Sequence, residues 1–131
     1  MSDYEPIPTE DNRIAKLIFG CALRVHSELG PGLLESVYVG CLAHEIGKAD
    51  LTLRREVGLP VVYDNIRFEA GYRIDLLVED RVIIEVKAVD AIHPVYVAQL
   101  LTYLKLSERR LGLLINFNVP LLKEGVRRIV R

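Results

Sequence analysis

Apolar residues recur at intervals of three and four through the first third of the chain. Ile14, Leu17, Ile18, Cys21, Val25 and Leu29 fall on one side of a helical cylinder. The spacing predicts a helix over 9–29 with Thr9 as its cap, after a loose tail over 1–8 restricted by Pro6 and Pro8. Gly30-Pro31-Gly32 breaks the pattern. A second helix is expected over 33–48, with Leu34, Val37, Cys41, Leu42 and Ile46 as its apolar side.

After Ala49 the pattern turns to strands. Residues 53–63 suit a strand, which Pro60 places at a sheet edge or a bulge. Asp64-Asn65 signals a turn, and residues 66–70 continue extended. Residues 72–78 and 82–89 are rich in Val, Ile and Leu and predict two further strands. Pro94 opens a helix to about Leu106, and 111–117 predicts a last buried strand. The end of the chain, Val126 to Arg131, suits a short terminal strand. The order α, α, β, β, β, α, β implies one α/β domain over 9–131, a mixed central sheet flanked by helices.

Composition narrows the function. Half of the 131 residues are hydrophobic, and 17 basic residues nearly cancel 18 acidic ones. Such a chain buries enough surface to fold without metal or disulfide staples. Its pI of about 6.3 argues against a basic protein that coats nucleic acid. The longest runs without Asp, Glu, Lys or Arg, Ala91–Leu104 and Leu111–Leu122, fall short of the ~20 residues of a membrane span. The start of the chain lacks the positive end and apolar core of a signal peptide, so a cytoplasmic location is expected. Cys21 and Cys41 lack metal-ligand spacing and read as free thiols. His26 and His93 read as surface or hydrogen-bonded histidines.

The chemistry concentrates between Tyr72 and Lys87. A three-residue turn at Glu79-Asp80-Arg81 pairs Val78 with Val82 and sets Asp75 opposite Glu85. Asp75, Glu85 and Lys87 then share one face, while Ile74, Leu76, Ile84 and Val86 pack on the other. A two-residue turn would shift the register and disperse them. Two carboxylates and an ammonium among such apolar strands must be paired or bind a metal. Their oxygens suit Mg²⁺ or Mn²⁺, which would support metal-assisted hydrolysis. An ion cluster on a solvated sheet face is the alternative from spacing alone.

Asp75 followed by Glu85-Val86-Lys87 resembles the Asp…(Asp/Glu)-x-Lys signature of the PD-(D/E)xK nuclease superfamily, with Ile74 in place of the signature proline. Upstream, Gly32-Leu33-Leu34-Glu35-Ser36-Val37-Tyr38 matches the Gly-x-x-Glu-x-x-Tyr motif of the superfamily's GxxExxY proteins. The wider likeness covers residues 12–131, including Val25-His26, Gly71-Tyr72-Arg73, Ala98-Gln99-Leu100-Leu101 and Leu113-Leu114-Ile115-Asn116-Phe117. It implies an α-β-β-β-α-β core, in agreement with the order read from the chain. It also implies Asp75, Glu85 and the Val86 carbonyl as metal ligands, Glu35 as a further ligand directly or through water, Lys87 as the catalytic lysine, and Gln99 as an orienting residue.

Glu35 and Tyr38 lie three apart on one helix face, and Tyr96, Gln99 and Tyr103 recur opposite Val97, Leu100 and Leu104. Tyr38 and Arg73 could shape the site or touch substrate. Otherwise Tyr38 packs, and Arg73 pairs with a carboxylate. The expected function is a Mg²⁺- or Mn²⁺-dependent nuclease with DNA as substrate. A non-catalytic module for nucleic-acid binding or protein assembly is the alternative, and a homodimer forming a substrate channel is a further option. Arg54-Arg55, Arg109-Arg110 and Arg127-Arg128 could meet phosphates or be solvated surface.

Overall fold

In the computed structural model, which describes residues 5–131, the two N-terminal amphipathic segments form α1 (Thr9–Leu29) and α2 (Glu35–Lys48). Of the expected tail over 1–8, residues 1–4 lie outside the described residues. Residues 5–8 have no regular structure but are not loose. Ile7 packs against the core, and the Glu5 carbonyl accepts a bond from Arg110 at 2.8 Å. Thr9 is the first helical residue and not the cap. Pro8 holds that position, and its carbonyl accepts the first helical bond from the Asn12 N–H at 3.2 Å.

α2 starts two residues later than the spacing predicts. Gly30 and Gly32 take positive φ, at 67° and 100°, and Leu34 is extended, so the chain cannot coil before Glu35. Its buried side is Tyr38, Leu42, Ala43 and Ile46, while the expected Leu34 and Val37 are exposed. The phase of the helix is set by Tyr38, whose ring stacks on Phe117 with centroids 4.7 Å apart and planes 5° from parallel.

The strands are β1 (Leu53–Gly58), β2 (Val61–Tyr63), β3 (Ile66–Phe68), β4 (Arg73–Val78), β5 (Val82–Lys87), β6 (Leu111–Asn116) and β7 (Val126–Val130). α3 (Pro94–Ser107) connects β5 to β6. One five-stranded sheet runs β1-β4-β5-β6-β7, in which β5 and β6 are parallel and the other neighbours antiparallel. A parallel pair needs a crossover, and α3 supplies it.

The strand expected over 53–63 is two strands. Pro60 has no N–H to continue the ladder, so the chain leaves the main sheet after the Leu59 N–H bonds the Tyr72 carbonyl. β2 and β3 form a separate hairpin closed by Asp64 and Asn65, both at positive φ as a two-residue turn requires. α1 and α2 cover one face of the main sheet, meeting Leu76, Val78, Val82, Ile84 and Val86. α3 covers the other, meeting Leu77, Ile83 and Leu114.

Candidate active site

The turn between β4 and β5 decides the register. Glu79 and Asp80 adopt positive φ, the Arg81 N–H bonds the Val78 carbonyl at 3.0 Å, and Val78 pairs with Val82. This is the three-residue turn that the sequence suggests. Tertiary contacts anchor it. Glu79 accepts from the Thr52 N–H and hydroxyl, both at 2.6 Å, and Asp80 pairs with Arg54 and Arg109.

Regular pairing of β4 with β5 ends at Leu76↔Ile84. At the next step the carboxylates replace the backbone ladder. The Asp75 N–H donates to Glu85 Oε2 at 2.8 Å, and the Val86 N–H donates to Asp75 Oδ2 at 2.9 Å. Each acidic side chain thus binds the backbone of the other's strand. On the far side of β4, Glu56 takes a φ of 50° and does not pair with Asp75. Strict alternation fails at this point. Ile74 consequently packs with Leu77, Ile83 and Leu100 under α3, and not with Leu76, Ile84 and Val86 as alternation predicts.

Glu85 is 7% exposed. Burial, then repulsion from Asp75, push its carboxyl up to about 8, against the pull of the Asp75 N–H and Lys87. Burial also raises Asp75, opposed by the Val86 N–H and Lys87. Glu35, the first residue of α2, lines a cleft of about 190 Å³ with Ser36, Val39, Arg55, Glu56 and Asp75. Partial burial raises its carboxyl, Lys87 lowers it, and Asp75 raises it. Among the described residues, no three His, Cys, Asp or Glu side chains form a ready metal cage. Asp75 and Glu85 are linked through bonds to each other's backbone, whereas Glu35 shares the cleft with Asp75.

Lys87 is in no ion pair among the described residues. Its ammonium lies 4.5 Å from the centroid of the Tyr96 ring on α3, a cation–π contact. The ion cluster on a solvated face is therefore not what forms. The carboxylate pair is sheltered, and among the described residues no cation lies within salt-bridge distance of it. All-oxygen donors at a site that resists ionisation fit a hard divalent cation.

Gln99 is exposed on α3, between Tyr96 and Tyr103 on one helical stripe. Tyr103 is not opposite the core positions. It is buried beside Leu100 and Leu104, where burial and then Glu85 raise its hydroxyl. Tyr38 is fully buried and touches no solvent. Its hydroxyl donates to the Gly30 carbonyl at 2.6 Å and accepts from the Leu33 N–H at 3.1 Å, which ties down the loop leading into Glu35. Arg73 is exposed and lines a second cleft with Glu56, and it is in no ion pair among the described residues. His26 bonds the Val119 carbonyl, and His93 caps α3 through the Val95 N–H.

A family model described as the PD-(D/E)XK nuclease superfamily matches residues 12–129. The chain belongs to that superfamily. No curated protein and no solved structure matches it. The five-stranded mixed sheet between helices is consistent with this nuclease fold, and the membership points to nuclease chemistry on a nucleic acid. No helix among the described residues is long and apolar enough to cross a membrane. A cleft of about 530 Å³ between α1 and α2 shares no residue with the carboxylate site.

One residue beside these carboxylates, Glu56, escapes sequence reasoning, and two others, Arg55 and Tyr96, carry no expectation of contact with Asp75 or Lys87. Arg55 and Glu56 enter the cleft because β1 lies beside β4, and Tyr96 carries Lys87. In the chain, Arg55 reads only as half of a paired arginine, Tyr96 only as part of the stripe with Gln99, and Glu56 carries no signal. Of the six paired arginines, five are engaged by the protein itself. Arg54 and Arg109 hold Asp80, Arg110 holds Glu5 and the Arg131 carbonyl, Arg127 holds two carbonyls, and Arg128 holds Asn12. Arg55 alone faces the site.

Proposed function

We propose that the protein is a Mg²⁺- or Mn²⁺-dependent phosphodiesterase that cleaves DNA, of the GxxExxY type within its superfamily. The observation that carries this reading is the sheltered Asp75–Glu85 pair, cross-bonded to the two strands, with Lys87 two residues on and no ion pair to quench it. Asp75, Glu85 and the Val86 carbonyl would hold the cation, with Glu35 completing the set across the cleft. A cation bound there lowers the pKa of a water and offsets charge on a phosphoryl oxygen.

The side chains of the chain do the rest. Asp75 and Glu85 are held in place by backbone N–H groups, so little reorganisation is needed when substrate arrives. The Lys87 ammonium donates hydrogen bonds to the phosphate oxygens as their charge grows, and Tyr96 fixes where that ammonium sits. Gln99, on the same stripe of α3 as Tyr96, orients water or a phosphate oxygen. The Tyr38 hydroxyl positions Glu35 through the Gly30–Leu34 loop.

The test is cleavage of single- and double-stranded DNA and RNA with Mg²⁺ or Mn²⁺, against Asp75→Asn and Lys87→Ala. Loss of one such group is expected to slow cleavage at least about a hundredfold. No cleavage by the wild type, or undiminished cleavage by the variants, refutes the reading. Calorimetric titration separates the alternative, a non-catalytic module, which would bind neither cation at millimolar concentration.

A further inference from the structure

The β2–β3 hairpin stands apart from the main sheet, and its side chains are unusually uncovered. Val61 pairs with Phe68 and Tyr63 with Ile66, so these four share one face. Tyr63 is 73% exposed, Phe68 48%, and Tyr72, just beyond the hairpin, 45%. Among the described residues, these are the only large aromatic side chains classed as exposed. A two-stranded hairpin with an open apolar face gains little stability by itself, so its aromatics are not explained by folding.

Its position is informative. The hairpin leaves the sheet after Gly58 and returns at Arg73, two residues from Glu56 and from Asp75 respectively. The cleft at its root shares Glu56 with the carboxylate cleft. Tyr72 lies against Tyr103, with ring centroids 6.4 Å apart, and Tyr103 senses the Glu85 and Asp75 charges. Exposed aromatic rings thus lie on the hairpin and, at Tyr72, just ahead of the strand that carries Asp75.

The electrostatics indicate what it meets. Net charge is -1, five of the six paired arginines are occupied, and Arg67 of the hairpin is paired with Glu69. Phosphate neutralisation is thus a weak source of affinity for a duplex. Stacking of bases on exposed aromatic rings does not need positive charge, and it requires bases that are not already paired.

We propose that the β2–β3 hairpin is a stacking platform for unpaired bases, so that the site acts on single-stranded DNA or on a frayed end and not on intact duplex. This rests on the nuclease reading above and specifies its substrate. Tyr63 and Phe68 supply the platform, and Tyr72 leads the strand towards Asp75 and Glu85.

The test uses the full chain with Lys87→Ala to prevent cleavage, in Mg²⁺, with oligonucleotides carrying 2-aminopurine. Single-stranded DNA is expected to bind more tightly than duplex, with quenching of the 2-aminopurine as it stacks. Tyr63→Ala and Phe68→Ala should each weaken binding about tenfold and abolish the quenching. Tyr63→Trp should retain both, which covers the case in which the alanine variants fold poorly. Equal affinity for duplex, or unchanged binding by the alanine variants, overturns the proposal. So does a dimer in sedimentation velocity that those variants dissociate, since the surface would then serve self-association. If instead the oligonucleotide stacks as expected while the wild type cuts nothing, the platform stands and the nuclease reading fails.

Discussion

Replacing Glu85 by Gln removes one buried charge and keeps an oxygen to accept from the Asp75 N–H. The wild-type carboxyl titrates at about 8 against an ordinary 4.5. A group that holds its proton more tightly in the folded chain stabilises the fold while protonated. Its contribution is fully present below pH 4.5 and is lost as pH rises through about 8. At about 1.4 kcal/mol for each tenfold difference, that span amounts to roughly 5 kcal/mol. This is an upper bound, because water entering the cleft screens the charge.

Metal-free wild type should therefore lose melting temperature between pH 4.5 and about 8 relative to Glu85→Gln, by an amount on the order of 10 °C. Thermal melts followed by circular dichroism in EDTA, with the two proteins compared at each pH, cancel the groups they share. Mg²⁺ added at the alkaline end should restore much of the wild-type loss, since a cation replaces the proton. It should leave Glu85→Gln nearly unmoved. Parallel profiles for the two proteins in EDTA would refute the buried-pair account.

Tyr38→Phe keeps the stack on Phe117 and deletes both hydroxyl bonds to the Gly30–Leu34 loop. It should cost about 1–3 kcal/mol in urea unfolding, and it should slow cleavage further by freeing Glu35. A loss under about 0.5 kcal/mol would mean that the ring alone holds the loop. Gly125→Ala would set a Cβ 2.2 Å from the Asn116 carbonyl oxygen, a backbone atom that cannot swing aside. It should destabilise by about 1–3 kcal/mol or more. Gly40→Ala, inside α2 with open space around it, should instead stabilise by about 0.5–1 kcal/mol in the same assay.

The register of the site was legible because it depends on local rules. A turn of three residues and a side-chain period of two are enough to set Asp75 against Glu85. The hairpin signal at Asp64-Asn65 was legible for the same reason. Where the pattern misled, a longer-range contact had taken over. Alternation at Ile74 failed because Glu56 on the neighbouring strand breaks the ladder beside Asp75. The apolar side of α2 was misplaced because Tyr38, polar at its tip, is the residue buried against Phe117. Arg54, Arg109, Arg110 and Arg128 look available in the chain because their partners, Asp80, Glu5 and Asn12, are distant in sequence.

By itself, the sequence determined the order of the elements, the spacing of Asp75, Glu85 and Lys87, and the motifs that mark the nuclease superfamily. These follow from periodicity and chain-local chemistry. Only the tertiary structure decided the environment that gives those groups their properties. Burial and proximity raise Glu85, a ring from α3 carries Lys87, and α2 brings Glu35 to the cleft. It also left the aromatic hairpin uncovered beside the site. Desolvation and through-space charge depend on which segments meet, and a one-dimensional pattern does not contain that information.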